Sequence, residues 1–404
     1  MKHIAPAEKL ANVRYEVRGP VLDEAEKIAA AGHKILQLNT GNPAAFGFSA
    51  PQEIIDLFAA ESGKAQAYCP SKGVPAARRS IAAQMAKKGI AGVTEDDVYI
   101  GNGASEMITM CMQALLNPGD EMLIPAPDYP LWTAAANLAG GKAVHYLCDE
   151  AANWSPDIAD IKKKITPRTK GILIINPNNP TGALYGKDLL LEIAQIAREN
   201  DFVLFADEIY DHLVMDGKEH TSIASLCPDI FSVTFNGLSK SHIICGFRVG
   251  WMALAGDKTG TEDFVAGINV LASMRLCANV PAQRIVPAAL ANFTETDAML
   301  QPGGRVYEQR KAIVAAVNAI PGLHTTTPDA AFYIFPKIDA KRFNITDDRQ
   351  FCMDFLRSKH VLLVNGRGFN WPEPDHFRIV YLPPADELAG LSNSLGSFLA
   401  EYQQ

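Results

Sequence analysis

The chain has 404 residues, 48% of them hydrophobic and 20% charged, with a formal net charge of −8. That length suggests two or three domains, and the mixed charges leave no basic footprint for nucleic acid or an anionic membrane. The seven cysteines are scattered and form no CxxC pair, which argues against a disulfide framework or a metal site and for a reducing compartment. The first residues lack the apolar stretch of a secretory signal, and no apolar run nears the length of a membrane span. A soluble cytoplasmic protein is expected.

After a short N-terminal arm, residues 22–35 read as an amphipathic helix and its exit, followed by a strand-like Ile35-Leu-Gln-Leu and the turn-rich Asn39-Thr-Gly-Asn-Pro43. Val98-Tyr-Ile100 is a short strand, leading through glycines into a helix over 104–116. A strand at Glu121-Met-Leu-Ile124 is broken by prolines 125, 127 and 130. Continuous apolar strands follow at 171–175, 202–206 and 231–235, with a helix at 187–200. Such strands separated by helices indicate a mainly parallel sheet covered on both faces. The last third differs: a helix near 304–318, strands at 331–335, 361–364 and 377–381, and a final helix at 386–402 suggest a smaller α/β domain. The expected division is an arm contributing to the small domain (1–45), a large domain (46–290) and a small domain (291–404). No internal repeat is visible.

Polar residues gather just after the carboxyl ends of the apolar strands, the edge where ligands sit in open α/β sheets. Asp207 ends one strand, where a carboxylate is costly unless a cation meets it. A protonated pyridine nitrogen is one such partner, a helix cap the plainer reading. Tyr210, three residues on, would reach a ring hydroxyl. Lys240 lies between an apolar strand and a Gly-rich apolar stretch, a setting for an amine that forms an imine. Eight residues later Arg248 stands among small and apolar neighbours and would pair with a phosphate. Taken alone, Lys240 reads as a surface lysine and Arg248 as a strand-end arginine. Gly101-Asn-Gly103-Ala104-Ser105 turns a strand into a helix N-terminus and offers free N–H groups to an anion. As a dinucleotide fingerprint it is incomplete. Asn176-Pro-Asn-Asn179-Pro-Thr-Gly182 is a rigid loop whose Asn179 would bond a ring hydroxyl and a substrate carboxylate, or else a simple turn.

Taken together, Asn176-Pro-Asn-Asn-Pro-Thr-Gly182, Asp207-x-x-Tyr210 and Ser239-Lys240 with Arg248 resemble the class I/II aminotransferases of the fold-type-I pyridoxal-phosphate family, in the family's order and over nearly the whole chain. The resemblance implies pyridoxal 5'-phosphate as cofactor, joined to Lys240 as a Schiff base. Asp207 then meets the pyridine nitrogen, and Tyr210 with Asn179 the ring oxygen. It places Gly103, Ala104, Ser105, Ser239 and Arg248 at the phosphate and stacks Tyr129 on the ring. Tyr68 would reach the phosphate of a neighbouring subunit, which implies a homodimer with shared sites. Arg378 would grip the substrate α-carboxylate, with Gly41 nearby. One departure is visible: Gly237 occupies a position where many members have serine.

Tyr15-Glu-Val-Arg-Gly-Pro-Val21 and Arg275-Leu-Cys-Ala-Asn-Val-Pro-Ala-Gln283 are similar to segments of alanine aminotransferases (glutamate–pyruvate transaminases). They imply that Tyr15 folds over a small substrate side chain. Arg18 or Arg275 would meet the distal carboxylate of glutamate. The expected activity is ping-pong transfer between alanine/pyruvate and glutamate/2-oxoglutarate, with no nucleic-acid or membrane partner. The alternatives are an aminotransferase for aspartate, aromatic or branched-chain substrates, or a lyase on the same scaffold. A pyridoxal-binding regulator lacks a DNA-binding module in the sequence, and a nicotinamide dehydrogenase leaves Lys240 unexplained.

Overall fold

A computed structural model describes residues 3–404. Its centre is an eight-stranded sheet in the order Val98–Asn102, Val249–Ala255, Ser232–Gly237, Val203–Asp207, Thr169–Ile175, Glu121–Ala126, Lys142–Asp149, Ser155–Pro156. The pairings from Ser232–Gly237 across to Lys142–Asp149 are parallel. Val249–Ala255 runs antiparallel to both its neighbours.

The alternation along the apolar strands explains why both faces are covered. Ile172, Ile174, Leu204 and Ala206 pack on one side with the helix Lys187–Glu199. Leu173, Ile175 and Phe205 pack on the other, against the helices Ala104–Leu115 and Leu131–Leu138. Each face removes branched and aromatic side chains from water, at about 1.5–3 kcal/mol for each one fully buried.

The strand expected at 121–124 runs on through Pro125 to Ala126. It pairs with the Lys142 strand along its whole length but with the Thr169 strand only as far as Leu123. On that second side the missing N–H of Pro125 therefore breaks no ladder bond. The stretch expected as one strand at 361–364 is two. Val361–Leu362 pairs in parallel with Leu36–Gln37, and Val364–Asn365 pairs antiparallel with Phe377–Val380. Leu363 is where the chain changes partners. The strand expected at 331–335 contracts to Tyr333–Ile334.

A further apolar cluster joins Val21, Ala25, Leu38 and Phe48 to a long series of residues between Leu300 and Leu399. The N-terminal segment thus packs against the last third of the chain. Among the described residues no helix is long and apolar enough to cross a membrane.

Candidate active site

Sheet direction decides where the chemistry lies. The strands ending at Asn102, Ala126, Ile175, Asp207 and Gly237 all present their carboxyl ends to one edge. Val249–Ala255 runs the other way, so its first residue and the preceding Arg248 arrive at that same edge. A cavity of about 880 Å³ opens there.

Lys240 sits in the short helix Leu238–Ser241, directly after Gly237, and lines the cavity. Its Nζ donates to the carbonyl of Gly41 at 2.6 Å and lies 3.6 Å from Cys245 Sγ. Gly41 is needed for this approach, because a Cβ there would run into the hydroxyl of Tyr333. Ser239 also lines the cavity. At Gly237, a Cβ would come within 2.8 Å of the Val249 carbonyl and 2.9 Å of Gly250 Cα. Close approach of the neighbouring strand therefore accounts for glycine where a serine was expected.

Asp207 is buried, the last residue of its strand. Its Oδ2 accepts from Trp132 Nε1 at 2.9 Å, and its Oδ1 from the Ile209 N–H at 3.3 Å. Burial pushes its carboxyl up to about 6 against these two donors, and neighbouring Glu208 adds to the rise. This carboxylate is no helix cap. Tyr210 is buried, its hydroxyl 2.6 Å from that of Tyr333, and burial raises its phenol well above the usual value.

Ala104 and Ser105 line the cavity at the start of a 12-residue helix. Gly103 precedes them at φ 81°, with the Arg248 guanidinium where a Cβ would project. Arg248 is more exposed than its apolar neighbours imply. It is held at φ 56° by bonds from its guanidinium to the carbonyls of Cys245 at 2.7 Å and Asn102 at 3.3 Å. Positive backbone φ at a non-glycine residue is uncommon and fixes its direction here. Helix N–H groups and one guanidinium make a ready anion cradle.

On the opposite wall Arg378, on the strand Phe377–Val380, is buried. Its Nη1 donates to Asn179 Oδ1 at 3.0 Å and its Nη2 to the Asn39 carbonyl. The guanidinium lies between the rings of Tyr333 and Phe369, at 4.6 and 4.5 Å. Nε has no partner, and burial pushes its pKa down. A buried cation with an unsatisfied donor is a site waiting for an anion. Asn179 is set by its loop, where Asn178 Oδ1 accepts from Thr181 and Asn176 Oδ1 from the Tyr185 N–H.

Tyr129 and Tyr15 close a third side, their hydroxyls 2.9 Å apart and their rings edge to face. Arg18 lines the cavity mouth. Arg275 does not; it is engaged with Glu106 at 3.5 Å and with the carbonyls of Ser71 and Ile100. Tyr68 is 79% exposed and lies outside the cavity lining. Trp132, Tyr333 and Phe369 escaped the sequence reading. Tyr333 sits in an apolar stretch whose pattern is that of core, and Phe369 in a glycine-rich turn; in each case only its partner distinguishes the ring.

The family model for aminotransferases of class I and II matches residues 33–393. The chain is 54% identical to the glutamate-pyruvate aminotransferase AlaA of Escherichia coli (strain K12) over 404 residues, 100% of each chain. It is 48% identical to the alanine aminotransferase of Mycobacterium tuberculosis (strain ATCC 25618 / H37Rv) over 401 residues, 99% of this chain and 94% of that one. Among solved structures, alanine aminotransferase from Pyrococcus furiosus superposes with a TM-score of 0.93 at 38% identity, covering 98% of this chain and 100% of that one.

Proposed function

This chain belongs to the class I and II aminotransferases, and from that premise we propose that it moves amino groups between alanine/pyruvate and glutamate/2-oxoglutarate. The family depends on pyridoxal 5'-phosphate, and the fold is the fold-type-I aminotransferase architecture. The residues present fit that cofactor. A buried Asp207 has hydrogen-bond donors but, among the described residues, no cation of its own, and the Gly103–Ser105 turn with Arg248 forms an anion cradle. The observation that carries the reading is the opening of Lys240, Asp207 and Arg378 onto one cavity.

When bound, pyridoxal phosphate supplies a carbonyl carbon that bonds amines and a conjugated ring that takes up electrons from the substrate Cα. Asp207 would meet the ring nitrogen and favour positive charge on it, and Tyr210 and Asn179 would face the ring oxygen. Ala104, Ser105, Ser239 and Arg248 take the phosphate, with Gly103 leaving room for the guanidinium. Tyr129 covers the ring. Arg378 binds the substrate α-carboxylate with Asn179, which sets Cα beside Lys240 Nζ. Lys240 Nζ is the base that would take the Cα proton in the first half-reaction and give one to Cα of the new amino acid in the second.

Specificity follows from the walls. The Tyr15–Tyr129 hydroxyl pair leaves space for a small side chain and favours alanine. Arg18, facing the mouth, is the group for the distal carboxylate of glutamate. A second copy of the chain completes the assembly. Tyr68 is exposed, as are Val270, Met274 and Leu276, so a homodimer would bury them together and bring Tyr68 to the partner's phosphate site. The proposed division is an arm (1–45), a large domain (46–290) and a small domain (291–404), and the packing of Val21, Ala25 and Leu38 with residues between Leu300 and Leu399 supports joining the arm to the small domain. A cytoplasmic location suits seven free cysteines, four of them buried.

The test is a donor panel with 2-oxoglutarate as acceptor. Alanine should exceed aspartate, phenylalanine and leucine in kcat/KM, and Arg18→Ala should raise KM for 2-oxoglutarate about tenfold or more. Preference for aspartate, or conversion of alanine without stoichiometric glutamate, would move the assignment to another transaminase or to a lyase.

A further inference from the structure

A second set of polar groups, centred on a buried carboxylate, lies behind the site. Asp128 is fully buried, and no lysine or arginine among the described residues pairs with it. Its Oδ2 accepts from Thr133 Oγ1 at 2.7 Å, and its Oδ1 from Asn370 Nδ2 at 2.7 Å. Thr133 Oγ1 is also 2.8 Å from His145 Nε2, and Asn370 Nδ2 reaches it at 3.2 Å. The Asp128 N–H donates to the Phe369 carbonyl at 2.9 Å. Asp128, Thr133 and Asn370 each adjoin a residue of the site. Asp128 precedes Tyr129, Thr133 follows Trp132, which holds Asp207, and Asn370 follows Phe369, on which Arg378 is stacked.

A lone buried carboxylate is an expensive way to fill a core, since a hydrophobic side chain of that size would pack without the desolvation cost. What it provides is geometry: two acceptor oxygens, each fixed by a donor from a different part of the chain. We propose that Asp128 is a positioning residue for transamination, a latch that fixes the distance between the ring-facing wall (Tyr129, Trp132) and the carboxylate-gripping wall (Phe369, Arg378). The proposal rests on the aminotransferase reading and assigns this carboxyl a part in it. Burial, opposed by the Thr133 and Asn370 donors, pushes the Asp128 carboxyl up to about 7. The latch depends on where the two oxygens are held, by Thr133 on one side and Asn370 on the other. An asparagine there keeps an oxygen for Asn370 and an N–H for Thr133, whose hydroxyl then turns to His145.

The experiment compares the parent holoenzyme with Asp128→Ala and Asp128→Asn. Steady-state kinetics with alanine and 2-oxoglutarate are combined with hydrogen exchange over residues 126–133 and 366–371. Asp128→Ala should raise both KM values about tenfold, with a smaller fall in kcat, and speed exchange in both segments. Asp128→Asn should stay within about threefold of the parent. Unchanged KM and exchange in Asp128→Ala, or an Asp128→Asn variant as impaired as the alanine variant, would overturn the latch. If Asp128→Ala does not fold, Asn370→Ala cuts one end of the network and should shift KM and exchange in the same direction; no shift would equally overturn it. A parent without transamination is a failure of the functional reading instead, and the exchange comparison alone then decides the latch.

Discussion

Replacing Trp132 with phenylalanine should impair the chemical step while leaving the fold in place. Asp207 has two donors, and the indole N–H at 2.9 Å is the stronger, the Ile209 N–H being 3.3 Å away. A hydrogen bond to a buried charge contributes about 1.5–3 kcal/mol. At 1.36 kcal/mol per pKa unit, its loss lifts the carboxyl by about 1–2 units, from about 6. A more basic Asp207 keeps for itself the proton it should leave on the ring nitrogen, and the ring draws electrons less well. The alanine half-reaction should slow by about 10- to 100-fold. Phenylalanine retains an aromatic ring beside Phe205 and Phe235, so far-UV circular dichroism should match the parent. The assay is stopped-flow absorbance of the alanine half-reaction from pH 6 to 9. Linkage supplies a second readout in the cofactor-free protein. The folded pKa of Asp207 lies above its ordinary 3.8, so its contribution to stability falls as pH rises from 3.8 to about 6, by about 3 kcal/mol in total. In Trp132→Phe that decline should extend to higher pH. A half-reaction rate within about twofold of the parent across the whole range would refute the role given to the indole.

Two other perturbations probe the supports of the site. Gly103→Ala puts a Cβ into the Arg248 guanidinium at φ 81°, so the apoenzyme should bind pyridoxal phosphate at least about tenfold more weakly; an unchanged titration curve would remove Arg248 from the cradle. Lys88 is buried between Glu208 and Asp211, whose charges outweigh the cost of burial and push its pKa up. His220 stands near the same two carboxylates. Lys88→Met leaves two buried carboxylates unpaired and should lower stability to urea by about 3–5 kcal/mol, and a loss below about 1 kcal/mol would contradict that account.

The parallel core was legible because its strands are continuous apolar runs, as in Ile172–Ile175 and Leu204–Ala206. Val249–Ala255 was not, although every residue in it is buried. Its antiparallel seating between two parallel-running strands is a matter of pairing, which local sequence does not encode. Lys142–Asp149 was missed for the opposite reason: Lys142, His145 and Asp149 interrupt a half-exposed strand near the sheet edge. At the candidate site, Lys240, Asp207, Asn179 and Arg378 could be singled out from motifs that the chain carries in order, and the structure brings the four to one cavity. Trp132 and Tyr333 were hidden, since an aromatic residue in an apolar stretch looks the same whether it packs or donates a hydrogen bond. Arg275 was readable as a cation but not as one already committed to Glu106 and two carbonyls.

The central claim is that Lys240 performs proton transfer in an alanine aminotransferase. A single-turnover reaction of the cofactor-loaded enzyme with alanine, without acceptor, tests it most directly. The parent should release one pyruvate per site, and adding 2-oxoglutarate should then yield one glutamate. Lys240→Ala should fold, bind the cofactor and release no pyruvate on that timescale. Pyruvate release by Lys240→Ala at the parent's rate, or a parent that yields none, would contradict the account.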